Sequence, residues 1–220
     1  EARMAGRGCD IRRVDALIIS HDHGDHTGSA GVFHRRFRLP LHLTPATHAA
    51  IQGRLGPVDR DRVCYFSAGQ TLVFRSVLVH TVPTPHDAVD GVAFVVEHKS
   101  VRLGILTDLG HPFRGLRELL ASLHAAYIES NYDPEMLRRG YYPLELQERI
   151  RGAGGHLSND ESAELLEEVS SQWARAALAH LSEHNNHPDV AVQTHRRRHG
   201  DRLPLHVASR FEAGPILRLG

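Results

Sequence analysis

The sequence predicts a layered α/β protein built on a mixed β-sheet. Short apolar, β-branched runs recur along the chain, and amphipathic helical stretches separate them, so strands are expected both singly and in hairpins. An apolar fraction of 41% over 220 residues is enough for one domain with a substantial core. A single domain spanning 1–220 is therefore expected.

The first strand is expected at 15–20 (DALIIS), followed by a helix at 29–36, a strand at 39–44 (LPLHLT) and a helix at 45–54. Strands at 63–66, 72–82 (LVFRSVLVHTV), 92–98 (VAFVVEH) and 101–107 (VRLGILT) form the middle of the chain. A helix at 112–123 follows, with Pro112 suited to its first turn because that position needs no backbone N–H. Then come a strand at 126–130, helices at 143–152 and 159–171, and a strand at 176–181. Ser158 and Glu161 form an S-x-x-E capping box at the start of the 159–171 helix. Trp173 is read as a core or edge anchor, and the tail from 192 onward as a final helix and a strand pair.

Charge and cysteine content exclude several classes. Basic and acidic residues balance at 26 each, so no summed field draws nucleic acid or anionic membrane. The Arg196-Arg197-Arg198 run reads as a solvated face. No apolar run approaches the ~20 residues needed to cross a bilayer, and the N-terminus EARMAGRGCDIRRVDA lacks the apolar centre of a signal peptide. A cytoplasmic protein with no membrane partner is the expectation. Cys9 and Cys64 stand far apart, outside any C-x-x-C pattern, and are read as reduced thiols. Eighteen histidines are the one compositional sign of metal chemistry.

That sign becomes specific in ISHDHGDHTG (19–28). His21 and His23 alternate at the mouth of a strand, so their imidazoles share one side and one metal. Asp25 and His26 follow Gly24, which turns the backbone and aims them at a second metal. Imidazole and carboxylate donors suit zinc, manganese or iron, and a pair of divalent ions ~3.5–4 Å apart clamps attacking and leaving oxygens.

His21-x-His23-x-Asp25-His26 behind an apolar strand resembles the signature of the metallo-β-lactamase fold, a four-layer αββα sandwich of mixed sheets with two metals at one edge. The resemblance implies further ligands at His86 in PTPHD, Asp108 in LGILTDLG and His180 in ALAHLS. His21, His23 and His86 then hold one metal; Asp25, His26 and His180 hold the other, with Asp108 bridging. GGHLSNDESA (154–163), LAHLSEHNN (178–186) and YIESNYDPEML (127–137) are similar to the YycJ/WalJ-type, nuclease-like branch of that fold. This implies a phosphodiesterase or DNA exonuclease in which a metal-bridging hydroxide attacks phosphorus and Asp25 orients it. His156 then steadies the phosphate and protonates the leaving oxygen. His156, Ser158, Asn159 and Asn185 are the implied substrate contacts, and Asn131 and Asp133 are further candidates beyond a strand end. Nucleic acid is the implied substrate; the oligomeric state stays open.

Members of this fold open with a strand hairpin some forty residues or more before the His-x-His motif, whereas twenty residues precede His21 here. The expectation is a chain lacking those strands. Two alternatives stay open: a thioesterase or lactonase on the same fold, which zero net charge favours, or an inactive truncated chain.

Overall fold

The computed structural model describes residues 1–219. A short helix α1 (Ala2–Ala5) leads to β1 (Leu17–Ile18), α2 (Gly24–Thr27), α3 (Ala30–Phe37), β2 (Leu41–Leu43), α4 (Pro45–Leu55) and β3 (Val63–Tyr65). β1, β2 and β3 form a parallel three-stranded sheet in that order. Next come β4 (Thr71–Phe74), β5 (Val77–Pro83), β6 (Val92–His98), β7 (Val101–Leu106), α5 (Leu116–Ala121), β8 (Ala125–Glu129), α6 (Pro134–Arg139) and α7 (Leu144–Arg151). The described chain ends with α8 (Asn159–Val169), β9 (Arg175–Ala179), α9 (Pro188–His199) and β10 (Leu205–Val207).

The second sheet has seven strands in the order β10-β9-β8-β7-β6-β5-β4. Strands β4 to β7 pair antiparallel, and β7, β8, β9 and β10 pair parallel. Three apolar clusters stack these parts into four layers. Ala30, Ile51 and Leu55 of α3 and α4 cover Leu41 and Leu43 of the small sheet. Phe66, Leu72, Val79 and Val92, with Ile18, Phe94 and Val96 against them, fill the space between the sheets. Leu116, Leu120, Leu165 and Leu166 of α5 and α8, with Ala191 of α9, pack on Val95, Leu106, Ile128 and Leu178. Helix, sheet, sheet, helix is the four-layer sandwich expected from the sequence, because each sheet buries one face under helices and the other against its partner.

The strands at 92–98, 101–107 and 126–130 and the helices at 45–54 and 159–171 lie within two residues of expectation. The 72–82 run is instead a hairpin, because Arg75 turns left-handed (φ 55°) and Phe74 pairs directly with Val77. No glycine or asparagine marks that turn. The 112–123 helix starts only at Leu116, since Gly115 takes φ 89° and breaks the preceding turn away from Pro112. α6 was not expected, although Asp133 followed by Pro134 is a helix-start signal. The Asp133 carboxylate accepts from the backbone N–H of Glu135 and Met136, so it caps a helix rather than facing a ligand. The tail gives α9, which opens earlier at Pro188, and one strand, β10, instead of a pair.

Two local readings hold. Both capping-box hydrogen bonds between Ser158 and Glu161 are present at α8. Trp173 is buried, and its indole N–H donates to the Leu120 carbonyl at 2.9 Å. No helix among the described residues is long and apolar enough to cross a membrane.

Candidate metal centre

The carboxyl ends of three adjacent parallel strands, β7, β8 and β9, deliver Asp108, Glu129 and His180 to one edge of the large sheet. Asp108 and His180 both have φ 57°, a left-handed backbone that non-glycine residues adopt at a cost of order 1–2 kcal/mol. The reversal leaves the strand direction just past β7 and β9. At His180 it is supported by Asn131, whose side-chain amide donates to the His180 carbonyl at 2.7 Å.

The small sheet supplies the opposite wall. Beyond β1 the chain runs extended through His21 and His23, then closes into the single turn of α2, which carries Asp25 and His26. His21, His23 and His86 have ligand atoms within 4.8 Å of one another, as do Asp25, His26 and His180, and also His21, His26 and Asp108. Asp108 reaches both groups: one carboxylate oxygen lies 3.7 Å from His86 Nε2 and 3.5 Å from His180 Nε2, the other 3.3 Å from His26 Nε2.

Outside this cluster a set of acceptors fixes how the imidazoles face. His86 Nδ1 is 2.8 Å from the Gly155 carbonyl, which can only accept, so the proton sits on Nδ1 and the Nε2 lone pair faces the cluster, 3.2 Å from His23 Nδ1. The Ser20 hydroxyl lies 3.0 Å from His21 Nδ1 and 3.2 Å from His26 Nδ1. Glu129 does the same for two rings at once. One of its oxygens accepts from His156 Nδ1 at 2.7 Å and from His180 Nδ1 at 3.0 Å. Its other oxygen accepts from the backbone N–H of Leu109 (3.1 Å) and Leu157 (3.3 Å).

The donor set fits divalent cations. His21 Nε2 and Asp108 Oδ2 are buried and make no hydrogen bond within the chain. Asp108 Oδ2 is close to His26 Nε2, but the approach is too poorly directed to satisfy it. Lone pairs buried in this way are costly unless a cation or water meets them. Histidine nitrogens and carboxylate oxygens together suit zinc, manganese or iron.

Electrostatics point the same way. Burial lowers the His21 pKa to about 4, helped by the nearby His26. For His26 burial acts in that direction too, yet the adjacent Asp108 and Asp25 outweigh it and raise the pKa to about 9. His180 likewise rises to about 10 against the effect of burial, through Asp25 and Glu129. Asp25 is held well below the carboxylate range by His180 and His26. Burial pushes Asp108 and Glu129 up, but contacts with His26 and His180 bring Asp108 down, and hydrogen bonds from His156 and His180 bring Glu129 down. The carboxylates thus stay ionised, balanced by protons on His26 and His180.

A family model, the beta-lactamase superfamily domain, matches residues 2–181. The chain belongs to that superfamily. Within it the chain is 30% identical over 192 residues to the exodeoxyribonuclease YycJ of Bacillus anthracis, covering 87% of this chain and 73% of that protein. It is 32% identical over 186 residues to the exodeoxyribonuclease WalJ of Streptococcus pneumoniae serotype 2, covering 82% and 68%. The fold matches YhfI, a metallo-beta-lactamase fold protein from Bacillus subtilis, with TM-score 0.69 and 16% identity over 93% of this chain and 77% of that one. This superfamily member is a metal-dependent hydrolase.

The superfamily cluster opens into a cleft of about 560 Å³ lined by His23, Asp25, Asp108, Asn131, His156 and His180, among others. Of the four expected substrate contacts, only His156 faces it. Ser158, Asn159 and Asn185 are buried and lie away from the cleft. Asn159 exchanges amide hydrogen bonds with Asn186 and accepts from the Ser130 hydroxyl at 2.6 Å. It joins loops beneath the site, as its full burial requires. Ser158 is committed to its cap, and Asn185 Oδ1 packs against Gly140. Ser20, Glu129 and Gly155 were not singled out by the sequence. For Glu129 the one available signal is an acidic residue closing a strand that is otherwise apolar.

Proposed function

We propose that the chain hydrolyses phosphodiester bonds in nucleic acid, acting on DNA as an exonuclease, in the cytoplasm. The observation that carries this reading is the position of His156. Its ring lies 4.9 Å from that of His86 and 5.2 Å from that of His180, and its Nδ1–H is committed to Glu129. Phosphoryl transfer at a metal pair needs a general acid for the leaving oxygen, and an imidazole oriented by a buried carboxylate is suited to that role. The two exodeoxyribonuclease relatives support the same reaction class.

In this scheme His21, His23 and His86 would hold one divalent cation and Asp25, His26 and His180 the other, with Asp108 in reach of both groups. Zinc, manganese or iron there would supply Lewis acidity toward water and phosphate oxygens. Asp25, the most exposed carboxylate of the cluster, accepts a hydrogen bond from the attacking water and orients it. His156 faces the developing negative charge and delivers the Nε2 proton to the leaving oxygen. Glu129, holding Nδ1 at 2.7 Å, keeps the ring turned with Nε2 away from the strand ends.

The test is a metal-loaded preparation given linear DNA labelled at either end, beside a small thioester at equal metal content. Stepwise release of mononucleotides from one end is expected. Turnover of the thioester alone would assign the chain to the acyl-cleaving hydrolases of the same fold.

A further inference from the structure

We propose that Tyr141, Tyr142 and His184 form a stacking platform for the unpaired bases of a single-stranded nucleic acid bound at the cleft. This rests on the phosphodiesterase reading above and names the form of its substrate. The three rings touch one another: Tyr141 and Tyr142 are 5.2 Å apart between centroids, Tyr141 and His184 5.3 Å, and Tyr142 and His184 6.1 Å. Tyr142 and His184 line the same cleft as Asp108, His156 and His180. Tyr141 stands beside them with 74% of its surface exposed.

Core packing does not account for this group. Tyr141 and His184 are exposed and Tyr142 is half-buried; a ring that stays in water gains almost nothing from the hydrophobic effect, and while single exposed aromatics are ordinary, a contacting group at a cleft rim marks a binding surface. The platform is also held in place. Buried Gln147 donates to the Tyr142 carbonyl at 2.9 Å. Gly140 sits so close to the loop carrying His184 that a Cβ there would come within 2.8 Å of Asn185 Oδ1. His184 itself follows His180 by one short loop, so platform and metal cluster share a rigid base.

Charge argues for bases over phosphates as the source of affinity. The two arginines of the cleft are already paired, Arg149 with Asp87 at 2.5 Å and Arg210 with Glu183 at 2.8 Å. The chain carries no net charge. A strand held with few free cations must draw on stacking, which tolerates any base and weakens little with salt. Base pairing hides the faces that stack, so the platform selects an unpaired end.

The experiment measures binding to the metal-loaded protein by fluorescence anisotropy, using phosphorothioate-protected oligothymidylate, its abasic counterpart and a duplex. Wild type is expected to prefer the base-bearing strand over the abasic one by tenfold or more, and over the duplex. Tyr141→Ala and His184→Ala each cut the base-bearing to abasic ratio by about tenfold, and Tyr141→Phe restores it. Equal binding of abasic and base-bearing strands, a duplex bound as tightly, or a ratio unmoved by both alanine variants would overturn the platform. Cleavage of unprotected DNA together with equal binding of the base-bearing and abasic strands overturns the platform alone. Platform-dependent binding with no cleavage of unprotected DNA overturns the phosphodiesterase reading and leaves the platform standing.

Discussion

Glu129→Gln changes one oxygen into an NH2 group and nothing in volume, at a side chain with no solvent exposure. The native carboxylate accepts four hydrogen bonds, two from the imidazoles of His156 and His180 and two from the backbone N–H groups of Leu109 and Leu157. An amide oxygen can serve only one of these pairs. If it stays with the imidazoles, the NH2 meets two backbone donors. Two buried donors then lack acceptors, at about 1–3 kcal/mol each, so unfolding free energy falls by roughly 2–6 kcal/mol. If it flips, His156 and His180 must move their protons from Nδ1 to Nε2, which removes the lone pair that His180 would offer to a cation in the proposed scheme. Loss of an orienting partner of this kind costs about 10–100-fold in metal affinity or activity. Urea unfolding and metal stoichiometry by plasma mass spectrometry read the two arms separately. Two bound metal equivalents, an unchanged unfolding midpoint and turnover within twofold of wild type would refute the reasoning.

Other perturbations follow from the same geometry. Asp108→Ala removes the carboxylate that reaches both histidine groups, so turnover should fall by at least about a hundredfold with a loss of metal content; full activity would remove it from the bridging position. Supplying zinc or manganese at 100 times its dissociation constant should add about 2.7 kcal/mol and raise Tm by roughly 5–10 °C, reversed by chelation, as scanning calorimetry would show. His195 is buried, and burial, with the neighbouring His199, lowers its pKa to about 3 against about 6.5 unfolded. Between those values the unfolded chain binds the extra proton, so stability is full above pH 6.5 and falls as pH drops. The loss is about 2 kcal/mol by pH 5, and in His195→Gln that part of the slope disappears from urea titrations. Asn159→Ala removes the 2.6 Å acceptor of the Ser130 hydroxyl and both amide contacts with Asn186, which keep other partners, and should cost about 1–3 kcal/mol. A raised KM at unchanged stability would instead return Asn159 to the substrate.

The sequence by itself determined what depends on near neighbours. His21, His23, Asp25 and His26 lie within six positions, so their convergence follows from strand alternation and one turn, and the structure does bring them together. The capping box at Ser158 and Glu161 is legible for the same reason, since both partners lie in one helical turn. Strand and helix order was readable because burying one face leaves a local period. What only the tertiary structure decided depends on distant segments meeting. Glu129 is an ordinary acidic strand end until β7, β8 and β9 align and bring Leu109, Leu157, His156 and His180 around it. Asn159 and Asn185 have the chemistry of substrate ligands, and only packing shows them turned inward. The Tyr141, Tyr142 and His184 cluster joins two loops more than forty residues apart. No local pattern announces such pairs, because hydrogen bonds and ring contacts act through space over a few ångström while sequence signals act along the chain.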